Sequence, residues 1–140
     1  MQLPIKAHYA TLAMLALSER YESRDVLPAR AIAVEQGIPS QFLTQILQQL
    51  RAAGLVSSTR GSSGGFYLDH APSRITVGEV VDAVCPPTST PSDAQASPLS
   101  QIVGEVWDEL KTQQRGVLDR ITMADLIARS HDASNRMFYI

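Results

Sequence analysis

The sequence predicts a mainly α fold with one small β-hairpin, arranged as a winged helix-turn-helix followed by a long helix suited to pairing two copies. Three observations predict it. A short helical segment and a longer one are separated only by the few residues between Gln36 and Ser40; two short β-rich segments joined by RGSSGG (Arg60–Gly65) follow at once; and apolar residues from Leu99 to Val117 recur four and three apart.

The first element lies in KAHYATLAMLALSER, where Tyr9, Leu12, Ala13, Ala16 and Leu17 follow the i, i+3, i+4, i+7, i+8 spacing of an amphipathic helix, predicted from about Ile5 to Arg20. After the polar connection YESRDV, Pro28 suits the first turn of a short helix, AIAVEQ, that stops at Gly37. Ser40 is placed to cap the next helix, QFLTQILQQLRAA, and Gly54 to end it in the left-handed conformation. At about 100° per residue, Phe42, Leu43, Ile46, Leu47 and Leu50 share one arc, and Gln41, Thr44, Gln45 and Gln48 share the opposite one. LVSST and FYL then read as strands of a hairpin with a glycine-rich loop.

Thr76-Val-Gly-Glu79 has the spacing of a capping box, with Ile75 and Val80 as its hydrophobic staple, so a helix is expected to about Val84. Residues 1–84 form the expected winged helix-turn-helix domain. Residues 85–97, with Pro86, Pro87 and Pro91 among Ser, Thr and Asp, read as a flexible loop. Residues 98–140 hold the pairing helix, opened by Ser97-Pro98, with a seam of Leu99, Val103, Val106, Leu110, Gln113 and Val117. Over Pro98–Arg120 that helix would extend about 35 Å, though the same residues could instead pack against the first helix. Thr122-Met-Ala-Asp125 repeats the capping logic, with Ile121 and Leu126 as staple, for a last short helix ending near Arg129. The tail finishes on Met137, Phe138, Tyr139 and Ile140, which points to docking on its own subunit or on a dimer mate.

Composition narrows the function classes. A chain of 140 residues, 44% hydrophobic, is the size of one domain with one ordinary core. It has no apolar run long enough to span a membrane and no signal-peptide pattern, so a soluble cytoplasmic protein is expected. The one cysteine, Cys85, rules out an intrachain disulfide and a thiolate-only zinc or iron–sulfur site built from this chain alone. The net charge of −2 is uneven: residues 1–80 carry seven Lys or Arg and six Asp or Glu, residues 81–140 five and eight. Between Gln36 and Leu68 there is no acidic residue, while Arg51 and Arg60 are present, so a polyanion can approach without local repulsion.

The amide stripe and the hairpin have a joint chemical use. A glutamine amide carries the donor and acceptor that match adenine's edge in the major groove, which makes Gln41, Thr44, Gln45 and Gln48 candidate base readers. The plain alternative is a polar solvent face on a surface helix. The loop lacks a P-loop ending and GxGxxG spacing, and no helix begins after Gly65, so a nucleotide cradle is not expected. A hairpin directly after such a helix is a wing, and Arg60 among small residues suits approach to phosphates or the minor groove.

Three stretches carry a resemblance: YATLAML (Tyr9–Leu15), GIPSQFLTQILQQLRAAGLVSSTRGSSGGFYL (Gly37–Leu68) and ITVGEVVDAV (Ile75–Val84). In these the chain resembles the dimeric bacterial winged-helix regulators (Rrf-type) typified by IscR, CymR and NsrR, with weaker similarity near Val106–Leu110 and Arg120–Ile127. The resemblance implies sequence-specific binding of double-stranded DNA by a homodimer, usually in repression, under control of an effector or a metal cluster. It places Gln41, Phe42, Thr44, Gln45, Arg60 and Gly61 as the DNA-contacting set.

Cluster-binding relatives carry three closely spaced cysteines after the VGEV helix, whereas the loop here, CPPTSTPSDAQASP, has Cys85 alone, so no iron–sulfur cofactor is expected. His8 lies on the first helix, where some relatives recruit a ligand; with Cys85 it offers only a two-ligand suggestion, and a partly exposed surface histidine is the favoured reading. Cys85 permits a thiol switch; Asp82, the nearest charge in sequence, would oppose a reactive thiolate, which favours an inert cysteine.

The leading expectation is a homodimeric repressor on a two-fold symmetric operator, answering to an effector of unassigned chemistry. A winged-helix protein-assembly module with little DNA affinity is the alternative. An enzyme is not expected, since no paired carboxylates, nucleophile–base set or metal-ligand spacing is present.

Overall fold

The computed structural model describes residues 3–87 and 97–138, with side chains as far as residue 135. Among these residues the order is α1 (Ile5–Ser18), α2 (Ala29–Gln36), α3 (Ser40–Ala52), β1 (Val56–Thr59), β2 (Gly65–Leu68), a 3₁₀ turn (Pro72–Arg74), α4 (Val77–Val84), α5 (Pro98–Arg120) and α6 (Met123–Phe138). Most of the loop expected after Cys85 (88–96) and the end of the tail (139–140) lie outside the described residues.

Helix α1 is the hub. Ala7, Ala10, Ala13, Met14, Ala16 and Leu17 are buried, and α2, α3, β2, α4 and α6 all pack on it. The sequence reading expected a helix with one apolar face. The alanines hid the difference, because a short side chain lets another element close in on whichever side it points. Tyr9 and Leu12, expected in the core stripe, are only half-buried.

Helices α2 and α3 make the helix-turn-helix. Gly37 ends α2 at φ +64°, the left-handed conformation that glycine adopts without strain, and the Ile38 N–H then donates to Ala33 O at 3.0 Å. Ser40 does not cap α3: Pro39 takes the cap position, no side-chain cap bond forms, and Ser40 is the first helical residue. The helix has begun one residue early because proline at φ −58° already leads the chain into it. Leu43, Ile46, Leu47 and Leu50 are buried as expected, but Phe42 is 44% exposed. Phe42 sits about 90° round the helix from the centre of that apolar arc, so it falls at the margin between core and solvent.

The hairpin pairs Val56 with Leu68, Ser57 with Tyr67, Ser58 with Phe66 and Thr59 with Gly65. Val56 and Leu68 point into the core. A third strand one residue wide supports its base: Leu27 N–H donates to Phe66 O at 3.0 Å, and Phe66 N–H returns a bond to Leu27 O at 2.8 Å. Glycine is required at position 65 for this contact, since a Cβ there would stand 2.5 Å from the Leu27 carbonyl carbon and 2.8 Å from Pro28 N.

Two capped helix starts meet back to back. Thr76 Oγ1 accepts the Glu79 N–H at 3.1 Å at the start of α4, and Thr122 Oγ1 accepts the Asp125 N–H at 3.1 Å at the start of α6. In the second box Asp125 Oδ2 accepts the Thr122 N–H at 3.0 Å, and that backbone bond, with the threonine hydroxyl, holds the Asp125 carboxyl below the usual carboxylate range. The two starts form a β-bridge, Thr76 to Thr122, closed by Val77 N–H to Ile121 O at 2.8 Å and Met123 N–H to Ile75 O at 2.9 Å. Ile75 and Met123 beneath it are fully buried. The bridge joins matching sequence, RITVGEVV (74–81) to RITMADLI (120–127).

Helix α5 rests on α4 next to this junction. Arg115 reaches Asp82 of α4 at 2.8 Å and Asp119 of its own helix at 2.7 Å, and Gly78 leaves the space this pair occupies. Exposed ion pairs contribute about 0–1 kcal/mol each, whereas full burial of a side chain such as Ile75 or Met123 contributes about 1.5–3 kcal/mol. The bridge and its buried residues therefore set the position of α5, and Arg115 orients it. Helix α6 runs to Phe138 instead of ending near Arg129. No Gly or Pro follows Arg129 to stop it, and the Ser and Asn residues there disfavour helix only weakly.

Gly65→Ala is expected to push the hairpin away from Leu27 and lower stability by about 1–3 kcal/mol in urea unfolding. An unchanged midpoint would show that the wing does not depend on that contact.

Candidate nucleic-acid interface

The face of α3 opposite its buried leucines is bare. Gln41, Thr44, Gln45 and Gln48 are all exposed, and the three amides make no hydrogen bond or ion pair among the described residues. Thr44 differs: its hydroxyl donates to Ser40 O one turn back, at 3.0 Å. Gln49, outside the stripe, is turned inward, with its Oε1 buried and unpaired among protein atoms.

Phe42 borders the stripe on one side and meets Tyr9 of α1, with ring centroids 6.1 Å apart and planes tilted by 51°. His8, exposed, lies beside Tyr9 at 6.1 Å. The start of α1 therefore adjoins the front of α3, a proximity the sequence reading missed because Tyr9 fits the spacing of a core position. Arg51 borders the stripe on the other side and donates from Nη1 to Ser58 Oγ in β1 at 3.1 Å. This bond braces the helix against the wing.

The wing loop is shaped by its own backbone. Gly61 stands at φ +110°, a conformation closed to most other residues, and the Gly64 N–H donates to Gly61 O at 3.0 Å. The Gly65 N–H donates to Thr59 Oγ1 at 3.3 Å. Arg60 projects from this loop exposed, without an ion pair or hydrogen bond among the described residues. A free guanidinium flanked by Gly and Ser, beside a helix face bearing only amides and a threonine, can meet phosphates or a groove with the cation and base edges with the helix.

The seam residues of α5 lie far from this face in sequence and are uncovered. Leu99, Val103, Val106, Leu110 and Val117 are between 43% and 75% exposed, Ile102 and Trp107 join them, and no described residue of α5 is buried. The seam is thus not used in packing against α1.

This arrangement of helix-turn-helix, wing and long helix is matched in known proteins. Residues 3–129 match the Rrf2 family, described as iron-dependent transcriptional regulators. The chain belongs to the Rrf2 family. It is 35% identical over 132 residues to the HTH-type transcriptional regulator IscR of Escherichia coli, covering 91% of this chain and 80% of that one. Its fold is similar to that of T. potens IscR, with a TM-score of 0.80, 31% identity and coverage of 95% and 90% of the two chains. It is also similar to CymR, the global cysteine regulator of B. subtilis, with a TM-score of 0.79, 26% identity and coverage of 92% and 98%. This Rrf2 protein is a DNA-binding transcription regulator, in a family of regulators and not of enzymes.

The family's description invokes iron; this chain carries one cysteine, whereas iron–sulfur clusters are ordinarily held by several thiolates. Among the described residues no three His, Cys, Asp or Glu side chains gather into a metal-binding group. His8 is at the surface, and Cys85 closes α4 half-buried, packed against the core, with its N–H donating to Val81 O at 2.7 Å. Among the described residues no helix is long and apolar enough to cross a membrane.

Arg60→Ala is expected to weaken binding to every DNA sequence and to lower the slope of log K against log salt by about one, read by fluorescence anisotropy at several salt concentrations. Gln45→Ala is expected to relax preference at one base position by about 1–3 kcal/mol and leave that slope unchanged. Equal effects of the two variants on all sequences would contradict this division of roles.

Proposed function

We propose that this regulator acts in the cytoplasm as a homodimeric repressor that binds a two-fold symmetric operator, without an iron–sulfur cluster, and answers to a small-molecule, redox or protein effector. The observation that carries the dimer is the bare seam of α5. Full burial of each such side chain would contribute about 1.5–3 kcal/mol, and a second copy offers the same stripe in return through a two-fold axis. A pair of α5 helices would put two α3 helices on one face of DNA, the arrangement by which dimeric helix-turn-helix proteins meet half-sites one turn apart. Repression is the simplest consequence of such occupancy, since a dimer seated on promoter DNA excludes other proteins from it. The choice against a cluster is supported by the single cysteine and by the lack of a three-ligand group among the described residues.

Leu110→Asp places a charge in the middle of the seam at a position that is exposed in the single chain. The variant is expected to sediment as a folded monomer, with unchanged far-ultraviolet circular dichroism, and to lose tight binding to the two-fold operator. A persistent dimer would remove α5 as the pairing element.

A further inference from the structure

We infer that the operator is A·T-rich at both surfaces this protein touches: the uncharged face of α3 selects adenine and thymine in the major groove, and Arg60 enters an adjoining narrow A·T minor groove. The inference deepens the proposed function and rests on it.

The argument starts from what each base demands. In the major groove guanine is taken best by the fork of Arg or by Lys, cytosine by a carboxylate, adenine by the amide of Asn or Gln, and the thymine methyl by an apolar group. The exposed face of α3 holds Gln41, Gln45 and Gln48 with free amides and no ionised group. The one cation of the helix, Arg51, stands in its last turn and is drawn towards Ser58 of the wing. Thr44 commits its hydroxyl proton to Ser40 O, so towards a base it offers a γ-methyl and an acceptor oxygen but no donor. Phe42 adds a second exposed apolar group at the edge. Three amides and two apolar contacts favour A·T pairs, and the face carries neither the arginine or lysine that guanine takes best nor a carboxylate for cytosine.

The wing leads to the same base pairs by another route. Arg60 is exposed and unpaired, and its neighbours in the loop, Gly61, Ser62, Ser63 and Gly64, add no bulk. A slim cationic tip fits the minor groove, where guanine's exocyclic amine marks G·C pairs. A·T tracts narrow that groove and deepen its negative potential, which draws arginine in. The Arg51–Ser58 brace holds wing and helix together, so both preferences fall within one half-site.

The test uses the full-length protein. Selection from a random duplex pool is followed by anisotropy on single duplexes in which base analogues separate the two grooves. Inosine·cytosine presents a G·C-like major groove and an A·T-like minor groove; diaminopurine·thymine presents the reverse. The expected motif is two-fold symmetric with A·T pairs under α3 and beneath the wing. Under α3, inosine·cytosine should weaken binding by about 5- to 150-fold per lost amide pair, while diaminopurine·thymine is tolerated. Beneath the wing the pattern should invert. Gln45→Arg, at an exposed position, should move the preference at one position from A to G.

A two-fold motif with G·C pairs under α3, or analogues that act alike at both places, would overturn the A·T inference and leave the dimeric reading intact. Recovery of no two-fold motif would overturn both.

Discussion

The alanines of α1 set the terms on which everything else packs. With Ala7, Ala10, Ala13 and Ala16 buried beside Met14 and Leu17, α3, α4 and α6 all pack on one central rod. The position of α3 follows. Its leucines and Ile46 are consumed by this contact and by α2, so the opposite face has no intramolecular use and its amides remain free. The reading surface is therefore a by-product of how the core is filled: any rotation of α3 that hid Gln41 or Gln45 would expose Leu47 or Leu50 to water.

Two elements extend from that core. One is the wing, tied to the body by Leu27 through backbone bonds and to α3 through Arg51 and Ser58. The other is α5, itself uncovered along most of its length, whose end runs into the Thr76–Thr122 bridge. Because α4 and α6 start at the same bridge, a displacement of α5 is carried to two elements that both touch α1. The amide face of α3 and the exposed seam of α5 are thus both tied to α1. In a dimer, the separation of the two reading helices would be set by packing at the bridge and along the seam, not by a hinge.

Most local signals are legible in the sequence, the Ser40 cap and the end of α6 being exceptions, and non-local ones are not. The threonine capping boxes, the glycine ends of α2 and α3, the hairpin and the start of α5 at Ser97 each depend on a few neighbouring residues, and each stands where the spacing placed it. Phe42 was assigned to the core because periodicity ranks residues by angle and cannot tell the margin of an arc from its middle. The Leu27–Phe66 bridge and the Arg115–Asp82 pair join residues 39 and 33 positions apart, and no pattern in either segment announces them. At the candidate site the exposed amides and the free Arg60 were foreseen. The bonds from the Thr44 hydroxyl to Ser40 O and from Arg51 to Ser58 were not, since both depend on rotamers chosen after the fold has formed.

The central claim is that α5 joins two copies so that their recognition helices lie one helical turn of DNA apart. A pulsed dipolar distance measurement addresses it directly, with one spin label per subunit on Gln45→Cys in a Cys85→Ser background, where no other thiol competes. A single distribution centred at about 34–36 Å is the expected result. Absence of dipolar coupling, or a distance far from that value, would contradict the account.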